Sequence, residues 1–228
     1  MVKLTFMGHS CFLIEDSLFK LIIDPFLSGN PVAAMKPADL KVDYILLTHG
    51  HGDHIGDAVE IAKRCDASVI SNFELSLYLG QKGIKKTIGP HIGGGCKLPF
   101  GSVKLTIAHH GSTLGSEVAY GGNPVGFIIR IAGKTIYHSG DTGLFLDMKL
   151  IGELDKIDIA LLPIGGFYTM DANDAAKAVE FLRPRRVIPM HYNTFDLIKA
   201  DAQEFAKKAK HHGSDCVILN PGESFTVE

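Results

Sequence analysis

The sequence is poor in the features that would take it out of the ordinary soluble class. Its four cysteines, Cys11, Cys65, Cys96 and Cys216, lie far apart and form no CxxC pair. That spacing gives neither a disulfide framework nor a sulfur-ligated metal, and it suits reduced, mostly buried thiols in a cytosolic protein. No apolar run reaches the ~18 residues a membrane span requires. No basic leader with an apolar core precedes MVKLTFMGH, which alternates from the start, so a cytoplasmic location without membrane contact is expected. An excess of one charge is missing too: 25 Asp and Glu stand against 23 Lys and Arg, with no basic stripe. A nucleic-acid partner held by electrostatics is therefore disfavoured, and a small-molecule substrate is the expected partner. No linker, low-complexity stretch or short repeat interrupts the chain, which reads as one domain over residues 1–228.

What is present is a large apolar fraction, 46% of residues, enough to build a sizeable core. VKLTFMG, CFLIED and LFKLIID read as strands, the last stopped at Asp24-Pro25. DYILLTH is a short buried strand, and DAVEIAKRC carries helical spacing behind Asp57 as N-cap. ASVIS follows as a strand and FELSLYLGQKG as a helix ending at glycine. KLPFGSVKLTIAHH gives two strands joined at Phe100-Gly101, and GFIIRIAGKTIYHSGDT a hairpin turning at Ala132-Gly133. The last third reads strand (IDIALLPIGG), helix (ANDAAKAVEFLRPRR), strand (RVIPMH) and helix (TFDLIKADAQEFAKKAKHHG). CVILN and ESFTVE close it as strands. Strands first, then helix-and-strand units, in both halves, favour two sheets with helices outside.

Chemistry concentrates just past strand ends. LLTHGHGDHIGD packs His49, His51, Asp53 and His54 into six positions behind a buried strand. His49 and His51, two apart on an extended segment, point the same way and can share one metal. Asp53 and His54 can bend toward a second, with Gly50 and Gly52 allowing backbone angles that bulkier residues resist. His109 and His110 leave SVKLTIA, Asp141 leaves KTIYHSG, and His191 leaves RVIPM. Imidazole with carboxylate suits Zn, Mn, Fe or Co.

THGHGDH resembles the THxHxDH signature of the metallo-β-lactamase superfamily, and AHHGS, YHSGDT and PMHYNTF resemble that family's later motifs in its order. GHSCFLIE and LIIDPFLSGNP resemble a compact branch of metal-dependent hydrolases similar to the ascorbate-6-phosphate lactonase group. The resemblance implies an α/β fold of the α+β kind, a four-layer αββα sandwich with a two-metal site at the open edge between the sheets. It further implies two divalent ions, zinc first, with Mn, Fe or Co as alternatives. Metal one would take His49, His51 and a histidine of AHHGS; metal two would take Asp53, His54 and His191; Asp141 would bridge. The A-x-H-S-S pattern points to His110 as the third histidine, with Gly111 in place of the usual serine, and leaves His109 beside the ligands or lining the cleft.

His9 and Asp24 are expected near the metals too, Asp24 accepting a hydrogen bond from a ligand imidazole. His138 reads as a buried histidine outside the ligand set, Asn193 and Thr194 as a solvated loop, and His211 and His212 as a solvated helix end. The expected activity is hydrolysis by a metal-bound hydroxide, with Asp53 orienting the water or shuttling its proton, on a small ester, lactone or phosphoester. A di-iron redox role is disfavoured because His51 stands where such relatives carry Glu, and 228 residues leave no room for a flavin domain. A non-catalytic metal- or ligand-binding protein is the other alternative, and a homo-oligomer is expected by analogy.

Overall fold

Strands whose alternate residues are apolar on both faces must be covered on both faces, and that requirement shapes this chain. The computed structural model describes residues 1–115 and 119–227. Its first half contains β1 (Val2–Gly8), β2 (Cys11–Glu15), β3 (Lys20–Ile23), β4 (Tyr44–Leu46), α1 (Gly52–Ile55), α2 (Ala58–Cys65), β5 (Ser68–Ile70), α3 (Phe73–Gln81) and β6 (Thr87–Ile88). Next come β7 (Gly95–Leu98), β8 (Gly101–Ile107), β9 (Thr113–Leu114), β10 (Ala119–Tyr120), β11 (Val125–Ile131) and β12 (Lys134–His138). The chain ends with α4 (Asp147–Leu154), β13 (Ile159–Pro163), α5 (Ala172–Leu182), β14 (Arg186–Met190), α6 (Ala202–His211), β15 (Asp215–Cys216) and β16 (Ser224–Val227).

Two seven-stranded mixed sheets result, in the orders β16-β1-β2-β3-β4-β5-β6 and β15-β14-β13-β12-β11-β8-β7, beside a small antiparallel β9–β10 pair. In both, antiparallel neighbours come first along the chain and parallel ones after, β1–β2–β3 then β3–β4–β5–β6, and β7–β8–β11–β12 then β12–β13–β14–β15, with β16 returning antiparallel beside β1. Alternation sorts the side chains into layers. Leu4, Phe6, Phe12, Ile14, Leu21, Ile23 and Leu46 meet Phe127, Ile129, Ile136, Leu161 and Ile188 between the sheets. Their neighbours Leu13, Ile22 and Ile45 face outward and are covered by Ile61, Leu75 and Leu79 of α2 and α3. On the other side Ile128, Ala160 and Val187 are covered by Met148, Val179 and Phe205 of α4, α5 and α6. The expected helix–sheet–sheet–helix layering is therefore what forms. Each large apolar side chain fully buried in it contributes ~1.5–3 kcal/mol relative to exposure.

The β11–β12 hairpin turns at Ala132-Gly133, both with positive φ (46° and 77°), as a two-residue turn matching strand twist requires. Four details differ from the sequence reading. α4 was not expected: Leu146, Leu150 and Leu154 are exposed and only Met148 is buried, so its apolar residues mark no single face. The last long helix begins only at Ala202, capped by Asp201, and TFDLIKA forms a single 3-10 turn at Asp196–Ile198 and irregular chain instead. Asp57 precedes α2 but its carboxylate caps nothing there; it accepts the Leu27 and Ser28 N–H groups, 30 and 29 residues away. In CVILN only Cys216 belongs to a strand, β15. Glu228 of ESFTVE lies outside the described residues.

β1, β3, β4, β8, β12, β13 and β14 run the same way within their sheets and end at one edge. Loops leaving strand ends in this way are where a rigid fold presents reactive groups.

Candidate metal centre

Asp24 organises this edge from below. It follows β3 with a left-handed backbone (φ 45°) and is fully buried. Its carboxylate accepts the Thr48 N–H at 2.9 Å and the Thr48 hydroxyl at 2.6 Å. The same Oδ2 lies 2.8 Å from His54 Nδ1. Because the Thr48 hydroxyl donates to Asp24, it is left to accept from His49 Nδ1 at 2.9 Å. Both imidazoles thus carry a proton on Nδ1, which turns Nε2 toward the cleft. Partners of this kind fix the tautomer of a metal-binding histidine.

Above that base the side chains gather in overlapping clusters whose donor atoms lie within 4.8 Å of one another: His49, His51 and His110; His49, His54 and Asp141; and His9, Asp53, His54 and His191. In the first, His49 Nε2 is 2.9 Å from His51 Nδ1, two lone-pair nitrogens converging on one point. Asp141 ties the clusters together: its Oδ2 is 2.9 Å from His191 Nε2, 3.3 Å from His54 Nε2 and 3.6 Å from His110 Nε2. All seven residues expected as ligands therefore meet at one cleft. His109 does not; it is exposed, its ring stacked on Phe145 at 4.8 Å.

Local geometry explains how the loop reaches both clusters. His51 precedes α1, a single turn that carries Asp53 and His54 round to the far side. Gly50 and Gly52, expected to need unusual backbone angles, are not in the left-handed region; Gly50 is required for space, since a Cβ there would sit 2.8 Å from the Thr113 carbonyl. The positive φ falls on Gly56, where a Cβ would lie 2.3 Å from the Pro25 carbonyl, so the loop packs directly on the segment bearing Asp24. Left-handed non-glycine backbone recurs here at His9 (φ 59°), Asp24, His191 (φ 53°) and Asn193 (φ 57°). Such strain persists only where the surroundings over-determine it, and it clusters at functional sites.

Electrostatics separate the histidines. Burial pushes His49 well below its ordinary pKa, and lowers His51 and His110 as well, so all three are available as neutral donors. Burial also disfavours charge on His54, but Asp141 and Asp24 outweigh it and raise His54 well above the usual range. Burial would raise Asp141, yet His191 and His54 hold it well below. Asp53 follows the same pattern, its carboxyl lowered by the His9 contact and His54 against the effect of burial.

Buried donors and acceptors ordinarily find partners. Among the described residues, His9 Nε2, His54 Nε2, His191 Nδ1 and Asp141 Oδ1 are buried at this point without a protein hydrogen-bond partner. Crowded imidazole lone pairs and carboxylate oxygens left facing one another are what a divalent cation would satisfy, so the donor set fits a metal.

Several participants were not legible in the sequence. Thr48 stands in the quoted motif without an evident role, and its signal is a hydroxyl fully buried at the end of an apolar strand. Thr194, expected in a solvated loop, is buried and lies 3.0 Å from His9 Nδ1. Asn193 closes its own loop through both Ala200 backbone groups. Ser112 accepts the Gly50 N–H at 3.0 Å. Tyr168 and Phe195 line the cleft, and no pattern in GGFYTM or HYNTF marks them. His138 is fully buried, Nε2 3.0 Å from the Ser10 carbonyl, outside the clusters, as expected.

Comparison with known proteins fits this geometry. The Beta-lactamase superfamily domain model matches residues 3–191. A "UPF0173 metal-dependent hydrolase" from Carboxydothermus hydrogenoformans is 52% identical over 97% of this chain and 98% of the relative. The solved structure of Igni18, described as a novel metallo hydrolase from Ignicoccus hospitalis, superposes with a TM-score of 0.90 at 44% identity, over 100% of this chain and 99% of that one. The di-iron β-hydroxylase CmlA from Streptomyces venezuelae, at 15% identity and a TM-score of 0.78 over 98% of this chain and 54% of that one, shares the fold alone. Motif order, layered fold and full-length relatives agree: the chain belongs to the beta-lactamase superfamily and, within it, to the UPF0173 metal-dependent hydrolases.

Proposed function

We propose that this protein hydrolyses a small ester, lactone or phosphoester at a two-metal site. His49, His51 and His110 would hold the first ion and Asp53, His54 and His191 the second, with Asp141 within reach of both sets. The observation that carries this reading is the position of Asp141 Oδ2 within 2.9–3.6 Å of imidazoles from both clusters. One carboxylate oxygen so placed serves two cations better than one. Divalent ions bound there would activate water and stabilise charge building on the attacked group.

The chain's own residues do the rest. Asp24 and Thr48 keep His54 and His49 in the tautomer that binds. Asp53, one-third exposed at its side chain, faces the open side of the cleft and can orient the attacking water or carry its proton. A cleft of about 290 Å³, lined by His51, Asp53, His110, Asp141 and His191 with Tyr168 and Phe195, suits a small substrate with an apolar part. Neither Ser112 nor Ser139 is needed as a nucleophile: the Ser112 hydroxyl accepts the Gly50 N–H and the Ser139 hydroxyl donates to the Gly140 carbonyl.

The test is hydrolysis by metal-reconstituted protein across lactones, carboxylic esters, phosphodiesters and a chromogenic β-lactam, beside His51→Ala and an Asp53→Ala/His54→Ala double variant. Turnover of one bond class that both variants abolish is expected. Full activity in the double variant would sink the assignment.

A further inference from the structure

We propose that His9 is itself a metal ligand, binding the second ion through Nε2 alongside Asp53, His54 and His191. His9 stands outside THGHGDH and the three later motifs. The count of two ions is that of the reading above; a ligand role for His9 needs only the ion at this end of the cleft.

An unsatisfied atom points to this role. His9 is fully buried, and its Nε2 makes no hydrogen bond to any described residue. Buried polar atoms ordinarily have a partner. The rings around it supply none: Phe26 and Phe195 pack edge-on at centroid distances of 5.8 and 5.5 Å, and His191 lies against it at 4.0 Å. What His9 does face is a set of metal donors. It offers a donor atom within 4.8 Å of those of Asp53, His54 and His191, a group of four where the other two clusters hold three each.

The spacing is that of ligands sharing an ion. Donors held about 2.0–2.1 Å from zinc at angles of about 90–110° stand about 2.9–3.4 Å apart. His9 Nε2 is 3.3 Å from Asp53 Oδ2. His54 Nε2 and His191 Nε2 stand at comparable distances, 3.3 and 2.9 Å, from Asp141 Oδ2.

The other side of the ring fits the same role. Bound through Nε2, the imidazole keeps its proton on Nδ1, 3.0 Å from the buried Thr194 hydroxyl, which can accept it. Thr48 supports His49 and Asp24 supports His54 in the same way. The backbone turns sharply here, Gly8 at φ 104° and His9 at φ 59°, and the His9 carbonyl accepts the His191 N–H at 2.8 Å. That bond fixes His9 and His191 to each other at one end of the cleft. With Asp141, the second ion then has five protein donors, against four for the first.

The full-length protein loaded with ¹¹³Cd tests this without a substitution. Two-dimensional ¹H–¹¹³Cd NMR links each ion to the ring protons of the histidines that bind it. The His9 ring protons are expected to correlate with the same cadmium as those of His54 and His191; His9→Gln identifies them by their loss. A cadmium that correlates with His54 and His191 and not with His9 overturns the proposal. Zinc titration against a competing chelator gives a second readout. His9→Gln removes the donor and is expected to weaken one zinc equivalent more than about 100-fold, whereas Thr194→Val only frees the ring and is expected to cost about 10- to 100-fold. Equal losses in the two variants overturn ligation in favour of a supporting role. Wild-type protein that takes up one cadmium breaks the two-ion reading instead, and the presence or absence of a His9 correlation to that ion still decides the ligand.

Discussion

The two halves of the site are built differently. His49, His51 and His110 come from ordinary loop backbone; His51 is half-buried, and among the described residues outside the cluster only Thr48 anchors one of these rings, that of His49. His54 and His191 are fully or nearly fully buried, and with Asp53 are tied by Asp24 and His9 to segments 30 to 182 residues away. In that half His9, Asp24 and His191 all hold left-handed backbone. One half is a motif resting on a strand end, and the other is fixed by long-range partners and strain. The difference teaches where sensitivity should lie: substitutions outside the proposed ligand set should cripple the second half and, Thr48 apart, barely touch the first.

Asp24→Ala is the strongest attempt to break that contrast. It removes the partner of a buried imidazole and strands the Thr48 hydroxyl and N–H, so unfolding free energy should fall by about 3–5 kcal/mol. His51→Ala, at a proposed ligand on the half-exposed side, should change metal-free stability by about 1 kcal/mol or less while abolishing activity. Denaturant melts of the two metal-free proteins decide it, and equal losses would show that the halves are not distinct.

pH separates them next. The folded-state pKa of His54 is raised well above 6.5 because Asp141 and Asp24 outweigh its burial. A raised folded value gives stabilisation that is complete below the unfolded pKa and lost as pH rises through the folded one. Asp141 has the opposite sign, but its lowered value puts its window below 3.8. The metal-free protein should therefore lose Tm as pH climbs into the alkaline range. A cation on His54 must displace that proton, so the Tm gain from excess zinc should grow between about pH 6 and about pH 8. Thermal melts with and without zinc measure both, and a zinc effect that shrinks with pH contradicts the assignment.

Thr48→Val sharpens the comparison because Thr48 touches both halves, donating to Asp24 and accepting from His49. Losing the hydroxyl should cost about 1–3 kcal/mol and weaken the first metal about 10- to 100-fold. Titration with a competing chelator, reading the two equivalents separately, should show the first weakened more than the second.

The layered fold was legible because it rests on period two and on turn chemistry: KTIYH and GFIIRI could only be strands, and Ala132-Gly133 could only turn. The clustering of the proposed ligands was legible because strand-end loops carry these residues in short sequence motifs. The supporting shell was not. Whether Thr194 is solvated or buried depends on His9, 185 residues away, and local sequence carries no trace of that pairing. α4 escaped for a similar reason: Leu146, Leu150 and Leu154 are apolar but point outward, so no periodic face announced the helix. The helix expected from Thr194 onward starts late because Asp201, not the earlier residues, supplies an N-cap to Gln203 and Glu204.

The smallest expected effect comes from the residue beside a proposed ligand. His109 and His110 are adjacent at the end of β8, and an extended chain sends neighbouring side chains to opposite sides. His110 turns inward to within 3.6 Å of Asp141; His109 turns out onto Phe145, and only its backbone is engaged, by Thr142 and Gly143. His109→Ala should therefore keep those backbone bonds, shift stability by about 0.5 kcal/mol or less and leave both metals bound. His110→Ala should lose the first ion and all turnover with the fold intact. Metal analysis of the two variants after dialysis compares them directly. Metal loss from His109→Ala would mean that the register at the end of β8 is one residue out, and that the half of the site built from local motif is less securely placed than the strained half opposite it.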